Sequence, residues 1–276
     1  MEVRSSDGNV VVVHDMGGTG APLLICHATG FCARAYQPFA DALAGRHHVY
    51  GVDLRGHGDS PPLPDLDFDW MRITHDVLAA VRSISAGPVH VVGHSMGGAV
   101  ALQAEANFGG VVASAFVFEP IIFPTHLERP AAPNPMASNA RRRREAFASR
   151  DEVMWRYAKR APLDELSAAS LAAYVEHGFA LLDDGSVRLK CRAEWEARIF
   201  EASGKITTTT IAGVTSPVVV SVGDETDSFL TTLGPHIVAT LERAKLMEIA
   251  GVGHFGPLEA PRRFAELVIE AIARAA

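Results

Sequence analysis

Short apolar runs alternate along this chain with longer stretches whose apolar positions recur every three or four residues. The runs at 10–14, 22–26, 48–52, 89–92, 111–118, 217–222 and 245–249 have the character of buried strands. The helical pattern predicts helices over 33–44, 70–85, 96–108, 229–243 and 261–275. That alternation predicts βαβ units, and hence an α/β protein with a mostly parallel sheet. Between the first two runs stands Gly17-Gly18-Thr19-Gly20 in place of a helix, which predicts an antiparallel hairpin there.

The rhythm breaks from 121 to 214. Pro124, Pro130, Pro133 and Pro135 come first, then amphipathic stretches at 141–148, 152–159 and 167–177, with no strong buried-strand run before Pro217. The segment 121–214 therefore reads as a helical lid inserted between two strands of one sheet, the core being 1–120 and 215–276. Such lids close sites and carry specificity.

Composition narrows the class. The chain has 276 residues, 48% of them hydrophobic, enough for one large domain with a sizeable core. A net charge of −7 leaves Arg141-Arg142-Arg143-Arg144 as the one basic run. It reads as a solvated helix face leading into Glu145 rather than a nucleic-acid or membrane patch. Three cysteines without metal-ligand spacing argue against a disulfide scaffold and for a reducing compartment. The N-terminus has no apolar signal segment, and no apolar run is long enough to span a membrane. A cytoplasmic protein is expected, with a small-molecule substrate, no nucleic-acid or membrane partner, and a homodimer as a compatible assembly.

The chemistry centres on Gly93-His94-Ser95-Met96-Gly97, a serine between glycines where a buried strand passes into a helix. This is the nucleophile-elbow pattern. The backbone at the serine is strained, and a Cβ on its glycine neighbours would strike the crossing chain. The following helix brings free N–H groups and its dipole beside Ser95, where an oxyanion develops. A serine hydroxyl needs a general base. Of twelve histidines, His254 stands in a glycine-flanked loop, Gly253-His254-Phe255-Gly256, between the last strand and the last helix. Serine before acid before histidine is also the chain order of this elbow's enzymes. No phosphate-binding glycine loop, dinucleotide fingerprint or metal cluster is present in the sequence, so no cofactor and no metal are expected.

These residues resemble the α/β-hydrolase family over nearly the whole chain. Besides the elbow and the histidine loop, His27-Ala28-Thr29-Gly30-Phe31 stands where the family has His-Gly, and Asp53-Leu54-Arg55-Gly56-His57-Gly58-Asp59-Ser60 matches the loop after its fourth strand. The resemblance implies an eight-stranded type of sheet flanked by helices, an oxyanion hole from the amides of Met96 and Thr29, and loop-stabilising roles for Asp53 and Arg55. The family's usual acid position, three residues after Gly223, is Thr226, which cannot ionise. Glu119 is the favoured acid, followed by Asp227 and then Asp224. It ends the strand after the nucleophile helix, 24 residues beyond Ser95. Some haloalkane dehalogenases, and lactonases of the type that open the zearalenone ring, are similar in placing their triad glutamate there. A serine nucleophile argues against dehalogenase and epoxide-hydrolase chemistry.

Phe31, His94, Ile121 and Phe255 are expected to line a pocket for a small, mostly apolar substrate. The implied activity is that of a carboxylesterase or lactonase. The alternatives are a cofactor-free lyase or C–C bond hydrolase on the same fold, and a slow-turnover ligand receptor.

Overall fold

The computed structural model describes residues 1–125, 134–226 and 228–275. The chain opens with an antiparallel hairpin of β1 (Glu2–Arg4) and β2 (Val10–Gly18). Then follow β3 (Ala21–Cys26), a 3-10 turn at Ala33–Tyr36, α1 (Gln37–Leu43) and β4 (His47–Asp53). The stretch expected to be one helix over 33–44 divides at this turn, and Pro38 opens α1. Next come α2 (Trp70–Ile84), capped by the Asp69 carboxylate on the Met71 N–H at 2.9 Å, then β5 (Val89–His94), α3 (Met96–Phe108) and β6 (Val112–Phe118).

The insertion contributes α4 (Pro135–Arg141), β7 (Ala146–Phe147), α5 (Arg150–Tyr157), α6 (Ala168–His177), β8 (Phe179–Leu181), β9 (Val187–Leu189) and α7 (Ala193–Glu201). The core resumes with β10 (Val218–Gly223), α8 (Ser228–Thr240), β11 (Ala244–Ile249), the short α9 (Gly256–Glu259) and α10 (Pro261–Ala275). Among the described residues, no helix is long and apolar enough to cross a membrane.

Eight strands form one sheet in the order β1-β2-β4-β3-β5-β6-β10-β11, parallel from β4 to β11. The expected hairpin between the 10–14 and 22–26 runs does not form. The strand β2 pairs antiparallel with β4, which lies between it and β3. A tight glycine turn shows that no helix intervenes, but it does not choose the neighbour.

The chain builds from β3 towards β4, then reverses to add β5, β6, β10 and β11 on the other side of β3. Ligands bind beyond the carboxyl ends of parallel strands where strand order reverses. The ends of β3 and β5 lie at that point.

Two cores flank the sheet. One joins α2, α3 and α8 through residues such as Ile73, Val77, Val100 and Leu233. The other joins α1 and α10 through Phe39, Leu43, Phe264 and Val268, and runs on without a break into Phe147, Tyr157 and Tyr174 of the insertion. Both ends of the 121–214 segment pack with the first core through Ile122, Ile206, Ile211 and Val214.

The expected amphipathic helix at 141–148 is not there. Helix α4 ends at Arg141, and 146–147 joins β8 and β9 in a small antiparallel sheet. The arginine run is solvated at Arg141, Arg142 and Arg144, as expected, but it leaves the helix after Arg141 and most of it is ion-paired. Arg141 pairs with Glu194 and Glu201 of α7, Arg143 with Glu196, and Arg144 with Glu152. It ties the pieces of the insertion together.

Asp53 and Arg55 anchor the loop after β4. Asp53 accepts from the N–H groups of Ala33 and Asp59 and contacts the His14 ring, while the fully buried Arg55 grips Asp76 at 2.6 and 2.7 Å and reaches Asp7 at 2.9 Å. Removing one partner of a buried pair leaves an uncompensated charge. Asp76→Ala is therefore expected to lower unfolding free energy by about 3 kcal/mol. Lys190→Ala, which breaks an exposed pair with Asp59, should cost less than about 1 kcal/mol. Urea unfolding monitored by circular dichroism reads both, and equal losses would refute the ranking.

Candidate active site

Ser95 sits at the turn from β5 to α3 with φ 54° and ψ −118°. Only two other non-glycine residues among those described have positive φ, Leu66 and Glu119. Strain of this kind persists where the surroundings over-determine it. A Cβ at Gly97 would lie 2.1 Å from the Cys26 carbonyl oxygen, and one at Gly93 would lie 2.4 Å from the Gly98 Cα. The glycines thus let the elbow press against the end of β3. Ser95 holds the N-cap position of α3 yet makes no side-chain capping bond, so its hydroxyl is free for other work.

His254, in the loop after β11, directs Nδ1 at Glu119 Oε2 with a separation of 2.5 Å. The carboxylate cannot donate when ionised, so the ring carries its proton on Nδ1 and keeps the Nε2 lone pair. Glu119 is fully buried at the end of β6 and accepts twice more, from the Gly223 N–H at 2.9 Å and the Thr226 hydroxyl at 3.0 Å. The threonine at the family's usual acid position thus donates to the glutamate that faces the histidine. Asp224 is exposed and accepts from the Gly251 N–H at 2.6 Å, away from His254. Asp227 lies outside the described residues.

On the other side, the Ala28 N–H donates to Tyr36 Oη and the Gly30 N–H to His57 Nε2. Among the described residues no hydrogen bond engages the amides of Thr29 and Met96. Two free donors therefore stand on either side of the contact between β3 and the elbow, in spite of the Ala28 methyl where the family has glycine.

Ser95, Thr29 and His254 open into one cavity of about 710 Å³, roofed by the insertion. Phe31 and Phe255 line it. His94 and Ile121 do not. The His94 ring is buried beneath the floor, and Ile121 turns into the core while its N–H donates to the Ser95 carbonyl at 3.3 Å. Most of the remaining wall comes from the insertion and was not anticipated, including Phe147, Tyr157, Tyr174, Phe200 and several basic residues. Their signal was only the amphipathic pattern, which cannot say what the apolar face covers.

His94 has a positioning part instead. Its Nε2 donates to the His254 carbonyl at 2.7 Å, which leaves Nδ1 to accept from the Tyr36 hydroxyl, also at 2.7 Å. Tyr36 in turn accepts from the Ala28 N–H at 3.2 Å. Burial, with the neighbouring His254 ring adding to it, holds the His94 pKa well below the ordinary histidine range, so this neutral tautomer persists.

His14, Asp53 and Asp59 present ligand atoms within 4.8 Å of one another, the one such group among the described residues. Asp53 already spends both oxygens on backbone N–H groups and on His14, so the trio fits a braced loop better than a metal site. Cys26, Cys32 and Cys191 are free and buried, and burial raises each thiol pKa.

The chain belongs to the alpha/beta hydrolase family, whose model matches residues 10–267. It is similar to the (E)-2-((N-methylformamido)methylene)succinate hydrolase of Acinetobacter baylyi, 28% identical over 114 residues, which are 41% of this chain and 43% of the relative. It is also similar to the pimeloyl-[acyl-carrier protein] methyl ester esterase of Methylococcus capsulatus, 36% identical over 100 residues, which are 36% of this chain and 37% of that one. Each match spans less than half of the curated relative. In fold, the chain is similar to the crystal structure of E-2-(acetamidomethylene)succinate hydrolase, with a TM-score of 0.80 at 19% identity over 99% of both chains.

The loop that carries Thr29 rests on a second histidine pair. His57 is buried, accepts from the Gly30 N–H and donates to the Arg55 carbonyl, and its pKa is pushed down to about 3, by burial first and then by the His27 ring. The unfolded chain takes up this proton near pH 6.5, whereas the folded chain resists until about 3. The group's stability contribution is complete above the unfolded value and drains away as pH falls through that window. Urea titrations from pH 7 to 4 should therefore show a slope smaller by about one proton, or about 1.4 kcal/mol per pH unit, in His57→Gln than in the parent. Identical slopes would refute a neutral His57.

Proposed function

We propose that the protein is a serine hydrolase of carboxylesterase or lactonase type, working through an acyl-enzyme. Ser95 would be the nucleophile, His254 the base and Glu119 the acid. The observation that carries this reading is the 2.5 Å contact of His254 Nδ1 with a buried Glu119, in a loop bordering the cavity that Ser95 enters.

In this mechanism Ser95 Oγ attacks the ester or lactone carbonyl and its proton passes to His254 Nε2. Glu119 stabilises the imidazolium. The amides of Met96 and Thr29 receive the oxyanion. The tetrahedral intermediate collapses, and His254 returns the proton to the leaving alkoxide. Water, deprotonated by the same imidazole, then releases the acid. The hydrolase and the methyl ester esterase among the similar proteins support acyl transfer to water. The insertion over the cavity is read as a lid that governs which acyl compound enters.

A fluorophosphonate should label Ser95, and the chain should turn over short p-nitrophenyl esters or simple lactones. Ser95→Ala is expected to lose both, with kcat/KM falling at least about a thousandfold. Labelling without turnover of any ester or lactone would instead favour a lyase, a C–C bond hydrolase or a slow receptor.

The choice of acid is tested separately. Glu119→Gln is expected to cost about a thousandfold or more in kcat, and Thr226→Val roughly tenfold through the loosened carboxylate. Asp224→Asn and Asp227→Asn should stay within about tenfold of the parent. A collapse in Asp227→Asn with Glu119→Gln active would move the acid to the loop after β10.

A further inference from the structure

The cavity above Ser95 is not the neutral space that a purely apolar substrate needs. Arg142, Arg143, Arg144, Arg156, Lys159 and Arg160 line it, all from the insertion, in a chain whose net charge is −7. One carboxylate, Glu196, shares the lining, and it is spent on Arg143 at 2.5 Å. Arg144 and Arg156 both draw on Glu152, at 2.7 and 3.8 Å. Among the described residues, Arg142, Lys159 and Arg160 have no carboxylate within ion-pair distance. The Lys159 ammonium instead stands 4.2 Å from the centre of the exposed Trp155 ring, which orients it without neutralising it.

Like charges gathered around one concavity repel each other and raise the local concentration of anions. Guanidinium groups in particular match the two oxygens of a carboxylate. Aromatic side chains share the lining, Phe31, Tyr157, Tyr174 and Phe255, with the Phe31 ring 5.4 Å from that of Phe255 next to His254. A substrate with a reacting carbonyl at one end and a negative group at the other fits both. The volume, about 710 Å³, is that of a site for a compact molecule.

We infer that the protein selects an acyl compound bearing a carboxylate on its acyl portion, with Arg142, Lys159 and Arg160 receiving that carboxylate while the carbonyl reaches Ser95. This rests on the acyl-transfer reading above for its chemistry, though not for the binding itself. The three residues decide specificity by attraction to the far end of the substrate.

The test compares mono(4-nitrophenyl) succinate with 4-nitrophenyl butyrate, which carries a methyl in place of the terminal carboxylate, and with butyryl-coenzyme A. The half-ester is expected to have at least a tenfold higher kcat/KM than the butyrate, mostly through KM. That advantage should shrink as salt rises from about 0.02 to about 0.5 M. In the variant Arg142→Gln/Lys159→Gln/Arg160→Gln the half-ester-to-butyrate ratio should fall about tenfold or more, with an unaltered circular dichroism spectrum. Equal kcat/KM in the parent, a salt-independent ratio, or a ratio untouched in the triple variant would overturn the inference. So would a preference for butyryl-coenzyme A, which would put the recognised anion on the leaving group.

If no ester is turned over, the acyl-transfer reading fails and binding alone decides. Calorimetric titration of the Ser95→Ala chain with succinate should then show saturable binding that the three substitutions abolish. No binding would overturn the inference.

Discussion

The site is organised around one steric constraint, the passage of the elbow against the end of β3. At Gly97 the chain comes so close to the Cys26 carbonyl that a side chain has no room. That proximity sets the amides of Thr29 and Met96 on the two sides of a single contact, and it forces Ser95 into its strained turn. The strain is held by bonds on both flanks. The Ser95 N–H donates to the Phe118 carbonyl at 2.9 Å, and the Ser95 carbonyl accepts from Ile121. Because Phe118 and Ile121 bracket Glu119, the bonds that hold the serine also fix the start of the acid's loop. Ser95 and Glu119 are thus adjacent through β5 and β6 pairing, before any histidine is considered.

The third element is tied in through neutral imidazole. His94 links the His254 carbonyl to Tyr36, and Tyr36 links to the Ala28 amide next to Thr29. One unbroken chain of hydrogen bonds therefore joins the histidine loop, the elbow's own neighbour and the loop that carries Thr29. In the neutral tautomer His94 donates at Nε2 and accepts at Nδ1. A second proton on this ring would reverse only the bond to Tyr36, whose hydroxyl can accept as well as donate. Burial of the ring disfavours that charge and keeps the present direction of donors and acceptors.

What the sequence made legible follows from the range of the forces involved. The elbow could be read because its sterics are local, set by Gly93, Ser95 and Gly97 in five consecutive residues. Glu119 stood out because Thr226, at the usual acid position, cannot ionise, and the bond from Thr226 to Glu119 gives that substitution a physical meaning. The neighbour of β3 was misjudged because a turn fixes chain direction while strand order is set by packing across the whole sheet. The ion pairs of the arginine run are hidden from the sequence for a related reason. Its partners Glu152, Glu194, Glu196 and Glu201 are scattered over α5 and α7, and no local pattern announces that these carboxylates will converge on it. His94 and Ile121 were placed in the pocket because they flank catalytic candidates in sequence. In a strand or its extension, neighbours point to opposite faces, so adjacency to Ser95 argues for the floor as readily as for the wall.

That the carboxylate facing His254 stands at the end of β6, and not in the β10 loop, changes how it is held. A carboxylate on β6 is anchored from two strands at once. The Glu119 N–H donates to the Ser221 carbonyl and its side chain accepts from the Gly223 amide, so it needs no support from above. The insertion meets the site on two sides, the Ser167 N–H donating to the Leu258 carbonyl behind the histidine loop at 3.0 Å, and Tyr174 donating to the Gly30 carbonyl at 2.8 Å and accepting from Arg143 at that same distance. A Cβ at Gly30 would collide with Glu196, so the pair formed by Arg143 and Glu196 rests directly on that loop. The same arginine run that supplies the cationic wall thereby also steadies the backbone carrying the Thr29 amide. One segment of the insertion thus both lines the cavity and braces the loop that carries Thr29, while Ser95 and Glu119 are held by bonds among β5, β6 and β10.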